Sequence, residues 1–93
     1  MTETSINYAK ALYELSVPEE AVLETEKIFR STPQLKGALE NPLVSLKEKE
    51  HVIDRVFPQE MKNFLKVTCK YQKISSIYDI LEAYGNYLSL IHI

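Results

Sequence analysis

A chain of 93 residues with 45% hydrophobic and 26% charged side chains has the composition of one folded, soluble domain, which argues against intrinsic disorder. The formal net charge of −2 argues against nucleic-acid binding, which normally requires a basic excess. No apolar run approaches the roughly 20 residues that span a bilayer, so we expect no direct membrane insertion. The polar start of the chain does not resemble a signal peptide. The single cysteine, Cys69, fits a reducing compartment on the cytoplasmic side.

Four prolines divide the chain into segments in which apolar residues recur at helical spacing; they stand at positions 18, 33, 42 and 58. The first helix is predicted over residues 5–16. Ser16 and Glu19 have the spacing of a capping box and predict the start of a second helix. A short third helix is predicted to carry Pro33 in its first turn and to end before Pro42.

The second half of the chain continues the same pattern. Ser45 and Glu48 form another capping-box pattern and predict a fourth helix. A fifth helix is predicted over about residues 59–71. A sixth is predicted to begin near Ser76 and to reach Tyr87. The sequence therefore predicts an all-α fold, a compact bundle of about six short helices.

The last six residues, with the sequence LSLIHI, look unlike a helix end, and the string matches one reading frame of a transposon-derived sequencing adapter. We therefore expect a native domain over residues 1–87 and a non-native tail over residues 88–93. The alternative is a natural apolar tail that docks on the bundle.

Two of the predicted helices are apolar around more of their circumference than one core requires. The apolar arc covers roughly 220° of the first helix and roughly 200° of the fifth, when residues are placed at about 100° intervals. Part of this surface is expected to be exposed, and exposed apolar patches usually mark interfaces. Central burial of both helices is an equally good explanation from the residues alone.

If the two helices are neighbours, they form a groove suited to an amphipathic partner helix. Small residues such as Ala11 would let that helix approach closely, so Ala11→Trp is expected to abolish binding without unfolding the domain. Which positions face the core and which face the partner stays open at this stage. The candidate partner-binding residues are Tyr8, Ala11, Leu12, Leu15, Phe64, Val67, Thr68 and Tyr71.

Four stretches resemble, in order, the delta subunit family of bacterial ATP synthases, called the oligomycin-sensitivity-conferring protein in mitochondria. The string YAKALYEL at residues 8–15 resembles the family's opening helix. LENPLVSL at residues 39–46 resembles its third-to-fourth helix junction, and NFLKV at residues 63–67 resembles its fifth helix. ILEAY at residues 80–84 resembles its sixth helix.

The resemblance implies a non-catalytic stator subunit on the cytoplasmic face of the bacterial membrane. In this family a six-helix N-terminal domain binds the amphipathic N-terminal helix of an alpha subunit, through its first and fifth helices. A separate C-terminal domain binds the b subunits of the peripheral stalk, and we expect that domain to be missing here. The alternative function is a helical interaction domain of an unrelated assembly that binds another amphipathic helix.

The chain departs from the family pattern in the turn after the fifth helix. This turn usually carries an Asn-Gly-Arg-like string, whereas Tyr71-Gln72-Lys73 stands here. Without glycine a left-handed cap is less favourable, so this helix end is expected to be built differently.

No motif indicates a catalytic, cofactor-binding or metal site. Cys69 is interpreted as a small buried hydrophobe, and His51 has no second ligand at metal-binding spacing. No glycine-rich phosphate loop is present. Lysines at positions 62, 66 and 70 are interpreted as a solvated face, with the alternative that they flank the groove and pair with acidic partner residues.

Overall fold

Six α-helices and one short 3₁₀ helix account for the regular structure in a computed structural model, which describes residues 2–91. Within these residues there is no β-strand, so the predicted all-α fold of six helices is confirmed. The helices are α1 (Glu3–Glu14), α2 (Glu19–Ser31), α3 (Pro33–Glu40), α4 (Leu46–Val56), α5 (Gln59–Lys70) and α6 (Ile77–Ile91), and the 3₁₀ helix (Ile74–Ser76) leads into α6.

Helix starts follow local capping chemistry. The Ser45 hydroxyl accepts a hydrogen bond from the backbone N–H of Glu48 at 3.2 Å, which confirms the predicted cap of α4. Pro33 occupies the first turn of α3, as predicted. The α1 helix begins two residues earlier than predicted, because the Thr2 hydroxyl accepts from the backbone N–H of Ser5 at 3.1 Å.

The predicted capping box of Ser16 and Glu19 is wrong. Ser16 has a φ of 57°, and its backbone N–H donates to the carbonyl of Tyr13 at 3.0 Å, so it closes the end of α1. The N-cap of α2 is Pro18, without a side-chain hydrogen bond. A residue that is committed to the left-handed end of one helix cannot adopt the extended N-cap conformation of the next.

The prediction that α5 would end without a left-handed cap is also wrong. Gln72 has a φ of 58°, and its N–H donates to the carbonyl of Cys69 at 3.0 Å. The N–H of Lys73 donates to the carbonyl of Thr68 at 2.8 Å. These two bonds form a Schellman motif, which satisfies the last carbonyls of the helix although no glycine is present.

The last helix extends beyond its predicted end at Tyr87, because α6 reaches Ile91. Leucine is a strong helix former, and Leu88 packs against the core one turn beyond Tyr84. His92 and Ile93 lie outside the described residues. The non-native origin of residues 88–93 stays a prediction.

The core lies where α1 packs along α6 and α4 along α5, with α2 and α3 closing it. A Cα radius of gyration of 12.6 Å matches the value of about 13 Å that is expected for a compact domain of this length. The two buried threonine hydroxyls, of Thr25 and Thr68, each donate to the carbonyl four residues earlier, so neither is left unpaired. The largest fully buried apolar side chains are those of Leu12, Phe29, Leu39, Ile53, Met61, Leu65, Ile77 and Ile80.

Candidate partner-binding surface

The two helices with excess apolar surface meet through one aromatic pair. The rings of Tyr8 on α1 and Phe64 on α5 are 6.3 Å apart between centroids, with an interplanar angle of 75°. This edge-to-face geometry is a favourable arrangement for aromatic rings. The more extensive contacts of α1 are with α6 and those of α5 are with α4. The two helices therefore touch at this pair without packing along their whole length.

The structure divides the sequence-predicted residues between the core and the surface. Leu12 and Thr68 are fully buried, and Phe64 is 5% exposed. Tyr8 is half-buried. Because a fully buried side chain cannot touch a partner, Leu12 and Thr68 stabilise the domain and are removed from the partner-binding set. Four members are exposed: Ala11, Leu15, Val67 and Tyr71.

The six remaining residues form what we call the α1/α5 surface: Tyr8, Ala11 and Leu15 on α1, and Phe64, Val67 and Tyr71 on α5. On each helix the exposed pair lies three and seven residues beyond the aromatic residue that joins the helices. This spacing places each trio on one side of its helix. Leu15 is 58% exposed, Val67 47% and Tyr71 57%. Extensive exposed apolar patches usually mark interaction sites, so these residues stay the candidate partner-binding set.

The side of α1 that faces away from Ala11 and Leu15 supports part of the alternative explanation, which is that the helix is central and buried. There Tyr13 meets Tyr87 of α6 with ring centroids 5.1 Å apart. Ile6 and Ala9 line a cleft with Ala83 and Leu90 of the same helix. Part of the broad apolar arc of α1 is therefore covered by α6, although Ile6 and Tyr13 on that side remain 38% and 36% exposed, less than Leu15 at 58%.

The lysine row of α5 does not flank the α1/α5 surface as a unit. The ammonium of Lys66 is 2.7 Å from the Asp54 carboxylate of α4, so it faces the neighbouring helix on the other side of α5. This ammonium, through its hydrogen bond, lowers the pKa of Asp54. Lys70 is the member beside the surface, with its ammonium 5.6 Å from the centroid of the Tyr71 ring.

The two remaining candidates for chemistry in the sequence are Cys69, which is buried, and His51. Burial raises the pKa of the Cys69 thiol to about 11, so the thiol stays protonated at neutral pH. His51 is exposed on α4. Across residues 2–91 no three His, Cys, Asp or Glu side chains are grouped in a way that could hold a metal ion. Over the same residues no helix has the length and apolar character needed to cross a bilayer.

The fold and the surface define a small all-α domain with an apolar surface that spans two helices. The family model for the ATP synthase delta (OSCP) subunit matches residues 5–90. The chain therefore belongs to the ATP synthase delta (OSCP) subunit family, as the resemblance of the four stretches predicted. This is a family of structural, non-catalytic subunits.

Curated relatives support the same family. The chain is 33% identical over 94 residues to the ATP synthase subunit delta of Clostridioides difficile (strain 630), an alignment that covers 88% of this chain and 52% of the relative. It is 29% identical over 90 residues to the chloroplastic ATP synthase subunit delta of Trieres chinensis, with 85% and 48% covered. The chain thus spans about half the length of the curated relatives it matches. No solved structure gives a significant match.

Proposed function

We propose that this chain is the head-binding module of the ATP synthase stator, and that its α1/α5 surface binds the amphipathic N-terminal helix of an alpha subunit. The observation that carries the proposal is the exposed apolar surface on the two helices that touch through Tyr8 and Phe64. Membership of the delta (OSCP) subunit family supports the ATP synthase as the assembly. The module is peripheral on the cytoplasmic face of the bacterial membrane, and contact with the b subunits is made through a C-terminal domain.

The surface has the parts that recognition of a helix requires. Ala11 is small and exposed, so a partner backbone can come close to α1. Leu15, Val67 and Tyr71 provide apolar area on both sides of that point. Tyrosine adds a polar tip that can remain in water while its ring packs. A helix that buries its apolar stripe here would use the helix-in-groove mode of peptide recognition.

The direct test is a titration with a peptide that covers about the first 25 residues of the cognate alpha subunit. Calorimetry gives the affinity, and amide NMR gives the site. The amide NMR shifts are expected to concentrate on the exposed residues of the α1/α5 surface. The amides of exposed residues on α4 are expected to stay unshifted. A well-folded domain that does not bind this peptide would contradict the proposal.

Ala11→Trp is the sharpest variant, because a bulky ring would occupy the space that the partner backbone needs. We expect the helical circular-dichroism signal to be retained and the peptide affinity to fall by at least about tenfold, which corresponds to about 1.4 kcal/mol. The matched control is Ala38→Trp, since Ala38 is an exposed alanine on α3, away from the surface. Equal loss of affinity in both variants would refute the placement of the site.

The alternative function is a helical interaction domain of an unrelated assembly that binds another amphipathic helix. A second peptide tests whether the alpha-subunit segment is recognised specifically. This peptide keeps the apolar stripe of the alpha-subunit segment but has its polar positions scrambled. The stator proposal expects weaker binding of the scrambled peptide, because a specific partner uses its polar rim to fix the register. Equal binding of the two peptides would favour the alternative function.

A further inference from the structure

Two exposed charges of opposite sign stand at the two ends of the apolar stripe that α5 contributes to the α1/α5 surface. Glu60 lies four residues before Phe64, so it continues this side of the helix by one turn. Lys70 lies at the other end, where its ammonium is 5.6 Å from the centroid of the Tyr71 ring. The two charged residues are ten positions apart, which corresponds to about 15 Å along a helix.

Neither of these charges is engaged in an ion pair within residues 2–91. The ion pairs found there join Arg30 to Glu26, Lys36 to Glu40 and Lys66 to Asp54. The other helix of the surface adds no comparable polarity, since Lys10 and Glu14 stand only one turn apart on α1 and bring both signs to the same place. The α5 stripe is therefore negative at its start and positive at its end.

A second copy of this chain complements that pattern when the two α5 helices run antiparallel. A two-fold axis between Phe64 and Val67 then brings Glu60 of each copy to the Lys70 end of the other, and both pairs form at once. Parallel pairing would place Glu60 against Glu60 and Lys70 against Lys70. Antiparallel packing also brings opposite ends of the helix dipoles together. The stripe is therefore complementary to itself in one arrangement.

We propose that a second copy of this chain covers the α1/α5 surface of the free domain, in a two-fold dimer with antiparallel α5 helices and with Glu60 and Lys70 paired across the axis. The apolar contribution comes from Leu15, Val67 and Tyr71, which are 58%, 47% and 57% exposed. Stable dimers bury about 800 Å² on each copy, more than a few partly exposed side chains offer. The dimer is therefore weak, with a dissociation constant on the order of 10⁻⁴ M.

The second copy and the alpha-subunit helix would occupy the same surface, so they exclude one another. This consequence rests on the function proposed above, whereas dimer formation by the chain alone does not. A domain that has not yet met its partner keeps its apolar surface covered, and the partner helix releases it as a monomer.

The first test follows the self-association of the 93-residue chain by sedimentation equilibrium and amide NMR, at protein concentrations from about 10 µM to about 1 mM, on both sides of the expected dissociation constant. We expect a monomer at the low end and a dimer at the high end, with concentration-dependent shifts at Val67 and Tyr71. A chain that stays monomeric throughout overturns the proposal, as do shifts confined to the cleft between α1 and α6.

Charge reversal tests the arrangement itself. Glu60→Lys and Lys70→Glu each place like charges across the two-fold axis, so each variant alone is expected to associate at least about tenfold more weakly than the unaltered chain. An equimolar mixture of the two is expected to restore association, because one copy then carries two lysines and the other two glutamates. Glu48→Lys is the matched control, since it makes the same change at an exposed residue in the first turn of α4.

The antiparallel dimer is overturned if the mixture associates no more tightly than the separate variants, or if Glu48→Lys weakens association as much as Glu60→Lys. Circular dichroism checks that each variant folds, and the shift map of the unaltered chain decides if one does not. Titration of the alpha-subunit peptide into about 10 µM domain, where the chain is monomeric, tests the stator function alone. Peptide binding without self-association removes the dimer and leaves that function, and self-association without peptide binding does the reverse.

Discussion

The two sides of α1 are alike in sequence and different in the fold. One side places Tyr13 against Tyr87 of α6, with ring centroids 5.1 Å apart. The other side presents Ala11 and Leu15, both exposed, on the helix face that carries the contact between Tyr8 and Phe64. A broad apolar arc in the sequence therefore indicates how much of the surface of a helix must be buried. It does not indicate which neighbouring helix buries it.

The largest expected effect separates the core from the surface within α1. Leu12 is fully buried, so Leu12→Ala should reduce the free energy of unfolding by about 2–5 kcal/mol. Leu15 is 58% exposed, so Leu15→Ala should stay within about 0.5 kcal/mol of the unaltered chain. Urea unfolding followed by circular dichroism measures both. A similar loss for the two variants would mean that Leu15 belongs to the core.

A pair of tyrosines tests the comparison of the two sides directly. Tyr13→Ala removes the contact with Tyr87, so we expect a stability loss of about 1 kcal/mol and unchanged affinity for the alpha-subunit peptide. Tyr71→Ala should do the reverse, with stability nearly unchanged and affinity reduced about tenfold or more. Urea unfolding and calorimetry give the two quantities for each variant. If Tyr13→Ala weakens peptide binding more than Tyr71→Ala, the partner lies on the α6 side.

The ends of the two compared helices offer a smaller, stabilising change. Ser16 after α1 and Gln72 after α5 have φ values of 57° and 58°. Left-handed backbone destabilises a residue that has a Cβ by about 1–2 kcal/mol, and glycine avoids this cost. Glycine also makes the unfolded state more flexible, which offsets about 0.5–1 kcal/mol of the gain in stability. Ser16→Gly and Gln72→Gly should each therefore raise stability by about 0.5–1 kcal/mol in thermal unfolding. Gln34→Gly, inside α3, is the control and should lower it.

The smallest effect concerns the covered side of α5. The pKa of Asp54 is lowered by its hydrogen bond from Lys66, so the folded state holds this proton less tightly than the unfolded state. The contribution to stability is present above the unfolded pKa of about 4 and is lost as the pH falls through the folded value. Asp54→Asn should therefore be less stable near neutral pH, and the difference should shrink on acidification. The midpoints of urea unfolding, measured from pH 7 to pH 2, report this difference in stability. A difference that stays constant with pH would mean that the ion pair of Asp54 and Lys66 does not contribute to stability.

Most of the fold could be predicted from the sequence, because prolines and capping residues act locally. Ser45 and Pro33 fix the starts of α4 and α3 through interactions within four residues. The errors arose where a residue had two possible local roles. Ser16 could cap the following helix or end the preceding one, and only the path of the chain between α1 and α2 decides this.

The candidate site was only partly predictable. Helical spacing identifies the apolar side that carries Leu12, Leu15, Val67 and Thr68, but it cannot separate these four residues by depth. Burial depends on which helices lie next to one another, and the neighbours of α1 and α5 are brought together by tertiary packing.

The contact between Tyr8 and Phe64 joins positions that are 56 residues apart in the sequence. No fragment that contains only one of these two helices can assemble the α1/α5 surface. A partner that binds this surface recognises the finished domain and discriminates against partly folded chains. If the proposed partner binds there, its binding energy stabilises the folded domain alone, and assembly then also acts as a check on correct folding.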